Sequence, residues 1–308
     1  MVNRMDIIHL LYFVEVAKQE SFTKASASLY VSQSTISKLI KNLESELGVA
    51  LFHRAPKRVL LTDAGTLLFG KAQLILDTLN SINTDLYELA GTPKGHLKIG
   101  IPPMVQMLFP KAIAEFNALY PQITIDLLEV GSRKVELGLE EGSLDVGIVV
   151  LPTLNRGDLE IAPFLIDSLM LITHAESPLA AKTMIDMNDL RNESFVLYSE
   201  GFALHDHILE KCKELGFRPK VVCETAQWDF MVDIVASKLA IAFLPQIVCN
   251  KLDLQSLRCI PVKNEIKPWH LAIAWKNNTY LSYATRAWLS YIFKTFGIES
   301  QHLKGESL

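Results

Sequence analysis

The first fifty residues repeat apolar and polar positions with the period of short helices. Apolar side chains from Ile7 to Val14 recur three or four positions apart, which predicts an amphipathic helix over residues 5–19. Ser21 is a good N-cap for a second, short helix over residues 22–30, which is rich in small side chains. Small side chains allow another helix to cross closely, so the pattern predicts a compact helical unit.

A third helix is predicted from the Ser32 N-cap to Leu47, with Gly48 ending it. Two helices joined by a tight turn, the second with a polar and basic outer face, indicate a helix-turn-helix. The second helix of such a pair enters the major groove N-terminus first. Its outward residues fit base edges at the start (Gln33, Ser34, Thr35) and phosphates further along (Lys38, Lys41), with Ser37 between them.

Residues 50–62 predict a β-hairpin wing that follows this helix. Two short apolar stretches flank a turn at Pro56, and Arg54, Lys57 and Arg58 surround that turn. Cationic side chains at a wing tip can reach the DNA backbone or the minor groove. A solvated surface turn is the alternative, because charge runs are usually solvated.

A long helix with an apolar seam is predicted next. Thr62 caps it, and from Leu61 to Leu89 apolar or small residues step by alternating fours and threes, a heptad repeat sustained for about four heptads. Such a seam favours homodimerisation, and packing on the chain's own domain is the alternative. Gly91-Thr92-Pro93 ends the helix. The residues assigned to the dimer seam are Leu68, Ile75, Leu79, Ile82 and Leu86.

From Gly95 onward strands and helices alternate, which predicts an α/β domain with two lobes. A first βαβαβ set spans residues 97–150 and a second set spans 169–244, each with a parallel sheet. A late strand at 269–275 and a closing helix at 281–296 return to the first lobe. The whole pattern is that of a periplasmic-binding-protein-like clamshell.

Ligands of open α/β sheets bind outside the carboxyl ends of the strands, where helix N-termini point. Amides at helix starts favour anions, so a small carboxylate or related metabolite is the predicted effector. Phe202 and Trp228 are candidate apolar walls. Each loop taken singly also fits a plain turn. The predicted effector-binding residues are Pro103 and Met104; Gly131 and Ser132; Ser199, Glu200, Gly201 and Phe202; and Thr225, Gln227 and Trp228.

Charge is distributed unevenly along the chain. The net charge is −4, but residues 1–62 hold eight Lys and Arg against five Asp and Glu, a surplus of +3 that leaves −7 on the rest. A basic N-terminal unit in an otherwise acidic chain is expected where only that unit contacts DNA phosphates. With no signal peptide and no apolar run long enough to span a bilayer, we expect a cytoplasmic protein without a membrane partner.

Other functional classes find little support. The four cysteines form no Cys-x-x-Cys motif, which favours free thiols; a redox pair of Cys212 and Cys223 is the alternative. His205 and His207 do not share a helix face, so no metal site is predicted, and no cofactor. Nucleophile-elbow, phosphate-loop and dinucleotide motifs are absent, so an enzyme is not expected. A stand-alone solute-binding protein is disfavoured by the basic N-terminal unit.

The N-terminal motif Ser21-Phe22-Thr23 … Val31-Ser32-Gln33-Ser34 … Leu47-Gly48 … Leu51-Phe52 … Ala64-Gly65 resembles the signature of LysR-type transcriptional regulators. The resemblance spans residues 5–66. It departs at Ser26 and Thr35, where the family usually has Ala. It adds Phe22, Thr23, Ser32 and Ser37 to the DNA-binding residues. The stretch Ile101-Pro102-Pro103-Met104 also looks like the CidR-like group, whereas Lys238 and Ala240 stand where many relatives have Gly.

The resemblance implies an all-α winged helix-turn-helix domain (5–62), a linker and dimerisation helix (63–92) and a two-lobed effector-binding domain (93–308). Lobe 1 is expected at about 93–165 and 267–308, and lobe 2 at about 166–266. It further implies a homodimer that assembles to a homotetramer on promoter DNA and contacts RNA polymerase. Effector binding would close the lobes and alter DNA bending.

Overall fold

The computed structural model describes residues 5–54, 58–89, 94–154, 157–263 and 269–299. The chain divides into two compact units, Met1–Thr92 and Pro93–Leu308. None of the helices in the described residues is long and apolar enough to cross a membrane.

The first unit is a winged helix-turn-helix followed by one long helix, as predicted. Asp6, Ser21 and Ser32 cap its first three helices, and Gly48 ends the third in the left-handed conformation at φ 71°. Its core is built from the inward faces of these helices and from the wing. Its elements are α1 (Ile7–Gln19), α2 (Phe22–Ser28), α3 (Gln33–Leu47), β1 (Phe52–Arg54), β2 (Val59–Leu61) and α4 (Asp63–Leu89).

Lobe 1 of the second unit is a five-stranded sheet in the order β4-β3-β5-β12-β6. The parallel β3, β4 and β5 with their helices confirm the predicted βαβαβ set, and β12 confirms the predicted return of the chain. β6, an antiparallel edge strand, was not predicted. The elements are β3 (Gly95–Ile101), α5 (Pro110–Leu119), β4 (Ile123–Glu129), α6 (Ser132–Glu141), β5 (Val146–Leu151), β6 (Leu159–Asp167), β12 (Trp269–Lys276) and α10 (Tyr283–Phe296).

Lobe 2 contains a β10-β7-β11 sheet and a β8-β9 pair, joined by a bridge between Phe195 and Ile241. The prediction of a second all-parallel set was wrong here, because β7 runs antiparallel to both of its neighbours. Parallel neighbours need a crossover connection, usually a helix, and no such helix precedes or directly follows β7. Antiparallel pairing needs no crossover. The elements are β7 (Leu169–His174), β8 (Ser194–Tyr198), α7 (Ala203–Glu214), β9 (Lys220–Thr225), α8 (Trp228–Ala236), β10 (Ala242–Pro245), α9 (Gln246–Cys249) and β11 (Leu257–Pro261).

The chain passes from lobe 1 to lobe 2 between β6 and β7, where a single residue, Ser168, separates the two strands. Its backbone carbonyl accepts a hydrogen bond from the Gln246 amide at 2.9 Å. The carboxylate of Asp167 accepts another from the Ile247 amide at 2.8 Å. The first turn of α9 is therefore fastened to the crossover between the lobes.

Candidate DNA-binding face and effector cleft

The outer face of α3 is polar and open to solvent. Ile36, Ile40 and Leu43 are buried on the opposite face, which leaves the predicted contact residues pointing outward. Of the six DNA-contact residues predicted on α3, only Ser37 is half-buried. The exposed residues are Gln33, Ser34, Thr35, Lys38 and Lys41.

The first turn of α3 carries a cluster of hydroxyl groups. Ser32 Oγ accepts a hydrogen bond from the Thr35 amide at 3.1 Å. It also lies 2.8 Å from Ser34 Oγ and 2.8 Å from Thr35 Oγ1. The cap thus fixes the start of the helix while three hydroxyls and the Gln33 amide face outward, a set of donors and acceptors suited to base edges.

The two predicted residues at the start of α2 differ in exposure. Thr23 is exposed, and its carbonyl accepts a hydrogen bond from Ser26 Oγ at 2.9 Å. Phe22 is half-buried, and its ring centroid lies 5.9 Å from that of Phe52. Directly after the Ser21 cap, the Phe22 side chain contacts the wing and the core, and its DNA contact stays a prediction.

The wing is tied to α3 by Glu44, a residue to which the sequence assigned no role. Glu44 Oε1 accepts hydrogen bonds from the amides of Leu51 at 2.8 Å and Phe52 at 3.3 Å. The hairpin register pairs Phe52 with Leu61. This bonding gives the Glu44 carboxylate a structural role near the end of α3.

The cationic wing residues are only partly described. Arg58 is exposed, with Nη1 3.9 Å from Glu20 Oε2, a surface pair of small energetic weight. Arg54 ends β1, but its side chain lies outside the described residues, as does the whole of Lys57.

The seam of α4 divides into two parts. Leu68 is half-buried and Ala72 fully buried against the core of the first unit, so this part packs on the chain's own domain. Further along, Ile75 and Ile82 are 41% and 49% exposed, and Leu79 is half-buried. The side chain of Leu86 and the Gly91-Thr92-Pro93 ending lie outside the described residues. The open part of the seam begins near Ile75.

The structure brings two of the predicted effector loops into direct contact. The Gly201 carbonyl of lobe 2 accepts a hydrogen bond from the Arg133 amide at the start of α6, at 3.3 Å. A Cβ atom on Gly131 would lie 2.4 Å from the Gly201 oxygen, so the approach requires glycine. The lobes therefore meet at this edge.

Ser132 supports the fold instead of offering a free hydroxyl to a ligand. It is 1% exposed, and its Oγ accepts a hydrogen bond from the Val150 amide at 2.9 Å. The same oxygen lies 3.4 Å from Glu136 Oε1. The expected ligand role of this hydroxyl is corrected accordingly, because a strand amide and a carboxylate occupy it.

The remaining predicted residues fall into a buried group and a rim. Met104 and Phe202 belong to the main core of the unit, and Phe202 stacks on Tyr198 with ring centroids 5.4 Å apart. The other loops join through hydrogen bonds from the Ser199 amide to the Thr225 carbonyl at 3.1 Å and from the Gln227 amide to Thr225 Oγ1 at 3.2 Å. Glu200 and Gln227 are exposed; Pro103, Ser199, Gly201, Thr225 and Trp228 are intermediate.

Sequence reasoning missed a charged network across the lobe boundary. Arg133 Nη1 donates to Glu136 Oε1 at 3.3 Å and to the Pro152 carbonyl at 3.2 Å. Arg133 Nε lies 3.9 Å from Asp206 Oδ2 of lobe 2. His205 continues the network, with Nδ1 3.0 Å from Asp206 Oδ1 and Nε2 3.7 Å from Glu224 Oε1. The Arg-x-x-Glu spacing after a predicted strand end was the available signal.

Tyr198, at the end of β8 beside these loops, was also missed. Its hydroxyl is fully buried and has no hydrogen-bond partner among the described residues. Burial raises the pKa of Tyr198 well above its usual value. A buried hydroxyl without a hydrogen-bond partner destabilises the fold, and a hydrogen bond to a polar ligand group would offset that cost.

Two cavities of the second unit lie away from the predicted effector loops. One of about 410 Å³ lies beside β6 and the end of α10, and one of about 360 Å³ lies beside His174 and Lys238; neither contains a predicted effector residue. Within the described parts of the chain, no three His, Cys, Asp or Glu side chains are grouped to hold a metal ion.

Both units match known family models. Residues 7–66 match the bacterial regulatory helix-turn-helix protein, lysR family, and residues 90–297 match the LysR substrate binding domain. The matches identify the family and leave the CidR-like subgroup a prediction.

Whole-chain relatives support the same grouping. The chain is 44% identical over 288 residues to the uncharacterized HTH-type transcriptional regulator YwbI of Bacillus subtilis (strain 168), covering 93% of this chain and 95% of that one. A full-length OxyR variant from Pseudomonas aeruginosa aligns with a TM-score of 0.66, 27% identity and 95% coverage of both chains. Full-length CbnR complexed with its target DNA aligns with a TM-score of 0.69, covering 94% of this chain and all 100% of CbnR; at 20% identity, that likeness concerns the fold alone.

Proposed function

The chain belongs to the LysR family of bacterial transcriptional regulators, and from this premise we propose that α3 and the wing read a promoter while the cleft of the second unit senses a small anion. The family consists of regulators, not enzymes. The units proposed for these tasks are residues 5–62 for DNA binding, 63–92 for dimerisation and 93–308 for sensing.

The single observation that carries the DNA-binding assignment is the exposed polar first turn of α3. Gln33 presents an amide that can pair with adenine in the major groove. Lys38 and Lys41 follow on the same exposed surface and suit phosphates. The Glu44 bonds hold the wing beside this helix, so base and backbone contacts can form together.

Selection of duplexes from a random DNA library by the full-length chain tests this assignment. For the selected duplex, Gln33→Ala should lower affinity by about 1–3 kcal/mol and relax preference at one base pair. Ser45 is exposed at the other end of α3, so Ser45→Ala is the matched control and should leave affinity unchanged. An unaltered base preference in the Gln33 variant would remove α3 from the recognition role.

We assign dimerisation to the open part of the α4 seam, with Ile75 and Ile82 as its exposed apolar residues. The resemblance to LysR-type regulators extends this assembly to a homotetramer and to contact with RNA polymerase. Ile82→Asp should shift the full-length protein toward monomer in sedimentation velocity. Leu67→Asp, on the same helix but off the seam and 70% exposed, should leave the oligomer intact. Equal dissociation by both variants would contradict the seam assignment.

We assign effector sensing to the lobe boundary around Arg133. This guanidinium is held between carboxylates of the two lobes, so an anionic ligand can compete with Asp206 for it. The Arg133 contacts support a small carboxylate or related metabolite as the effector. We propose no cofactor besides this effector.

A thermal-shift screen of the full-length chain tests the sensing role. Acetate, pyruvate and benzoate are the probes, and the corresponding amides are the neutral controls. A ligand at 100 times its Kd should stabilise the unit by about 2.7 kcal/mol. Arg133→Gln should abolish the shift. A shift caused equally by acid and amide would argue against an anion site.

A further inference from the structure

The cavity of about 360 Å³ in lobe 2 lies at the end of the sheet that is far from the effector loops. β7 ends at this cavity with His174, and β8 begins there with Ser194. The effector loops follow the opposite end of β8, after Tyr198, and the two ends of this strand are roughly 13 Å apart. The cavity is therefore separate from the lobe boundary around Arg133.

An ion pair joins two turns that line this cavity and lie 62 residues apart in the chain. Glu176 stands in the turn after β7, and Lys238 stands in the turn between α8 and β10. Lys238 Nζ lies 2.5 Å from Glu176 Oε2, and this hydrogen bond lowers the pKa of Glu176, so both groups are charged at neutral pH. Both side chains are more than half exposed, so the pair has small energetic weight and can exchange for a ligand.

Lys238 has a backbone conformation that favours glycine. Its φ is 64°, its amide donates to the Val235 carbonyl at 3.0 Å, and the Leu239 amide donates to the Ile234 carbonyl at 3.3 Å. These bonds make Lys238 the left-handed residue that follows α8, a position at which glycine is strained least. A lysine there holds its ammonium group beside the cavity at a cost to the backbone, as is found where a side chain serves binding.

An imidazole, a second carboxylate and an apolar side chain complete the lining. His174 Nδ1 accepts a hydrogen bond from the Glu176 amide at 3.1 Å, so Nε2 of the neutral ring carries the proton and is a donor. Glu193 also lines the cavity and is half-buried. Leu239 is 54% exposed at the same cavity. Donors, carboxylates and apolar surface therefore surround one space of small-molecule size.

We propose that this cavity binds a free α-amino acid with an apolar side chain, as a second ligand site of the regulator. The carboxylate of the ligand pairs with Lys238 and accepts a hydrogen bond from His174 Nε2. Its ammonium group pairs with Glu176 and Glu193, and its side chain contacts Leu239. A zwitterion thus replaces both halves of the ion pair at once, whereas a simple anion would add a third negative charge beside the two glutamates.

This site lies wholly within lobe 2, so it requires neither DNA reading nor an anionic effector. Its groups also differ from those at the lobe boundary, where the guanidinium of Arg133 is offered to an anion. The two sites should therefore respond to different ligands and to different substitutions.

Isothermal titration calorimetry of the full-length protein with L-leucine and L-phenylalanine tests the proposal. Isocaproate and isoamylamine are leucine without its ammonium group and without its carboxylate; hydrocinnamate and phenethylamine are the same controls for phenylalanine. At least one amino acid should bind with one site per chain, and its two analogues should bind at least about tenfold more weakly, because each loses one charged pair. Binding of neither amino acid, or equal binding of an acid or amine analogue, would overturn the proposal.

Substitutions locate the bound amino acid. Lys238→Gln and Glu176→Gln should each weaken binding by at least about tenfold. Lys213→Gln, at an exposed lysine of the same lobe outside the cavity, is the matched control and should bind as the parent does. Arg133→Gln, which should abolish the response to acetate, should keep the amino acid site. Binding lost in Arg133→Gln but kept in Lys238→Gln would place the amino acid at the lobe boundary and overturn the proposal.

Lys238→Gly separates binding from folding. Glycine suits the left-handed conformation, so the free energy of unfolding without ligand should not fall in this variant, whereas amino acid binding should be lost. Tryptophan fluorescence during urea unfolding measures the first quantity and calorimetry the second. A clear loss of stability would show that the lysine serves the fold, and would overturn its assignment to a ligand.

Discussion

The first turns of α3 and α6 begin with similar chemistry and have different surroundings. Each was predicted to present serine hydroxyls and helix-start amides to a ligand. In α3 the hydroxyls of Ser32 and Ser34 bond to each other at the exposed surface. In α6 Ser132 is buried under the end of β5, and the next amide is bonded to Gly201 of the other lobe.

The difference shows that a hydroxyl at a helix start is ambiguous until its exposure is known. At α3 the turn before the helix lies on the surface, so the side chains next to the Ser32 cap stay exposed to solvent. At α6 the preceding β4 ends against the second lobe, so the same groups complete the protein's own hydrogen bonds. Substitutions at the start of α6 should therefore mainly change stability, whereas those on the exposed face of the first turn of α3 should mainly change DNA affinity.

The largest effect is expected at Glu136, which is 1% exposed and bonded to Arg133 and to the Leu154 amide. Glu136→Ala should lower the free energy of unfolding by about 3–5 kcal/mol, because it removes the buried carboxylate that pairs with Arg133 and accepts from the Leu154 amide. All four tryptophans lie in the second unit, so fluorescence during urea unfolding follows that unit. Glu141→Ala, exposed on the same helix, should change stability by at most about 0.5 kcal/mol.

Ser132→Ala should cost about 1–3 kcal/mol in the same fluorescence measurement, because the buried Val150 amide loses its acceptor. A loss below this range would mean that the hydroxyl is dispensable to the fold, and would restore it as a candidate ligand contact.

Ser32→Ala should destabilise α3 by about 1 kcal/mol, and Ser32→Gly by only a few tenths, the order expected of a lost N-cap. Amide hydrogen exchange over residues 33–47 measures this change locally. Equal protection in the parent and in Ser32→Ala would show that packing alone holds the helix start.

The smallest stability effect is expected for Ser34→Ala, because the exposed hydroxyl bonds only to other exposed groups in the described part of the chain. Unfolding free energy should change by at most about 0.5 kcal/mol. Affinity for the selected duplex should nevertheless fall, as measured by fluorescence anisotropy. A destabilisation as large as that of Ser132→Ala would erase the contrast between the two helix starts.

The sequence predicted the first unit nearly completely because its signals are local. Capping serines, the left-handed Gly48 and the spacing of Ile36, Ile40 and Leu43 each act within one or two turns. The role of Glu44 was missed because its bonds reach Leu51 and Phe52, beyond the end of its own helix.

The second unit was predicted less well where long-range pairing decides the structure. β6 contains Pro163, which an edge strand tolerates but which argues against a strand when the sequence is read alone. Its partner β12 lies about a hundred residues later in the chain. The contact between Gly131 and Gly201, and the use of Ser132 within the fold, likewise depend on how the lobes pack.

The bonds from Glu44 fasten the base of the wing to the C-terminal half of α3. If they hold the wing beside α3 on a duplex, the two elements must fit the grooves together. The energy of fitting a given duplex then depends on how readily its grooves adopt the spacing of the two elements. Base pairs that no side chain touches would be selected for their flexibility and groove width.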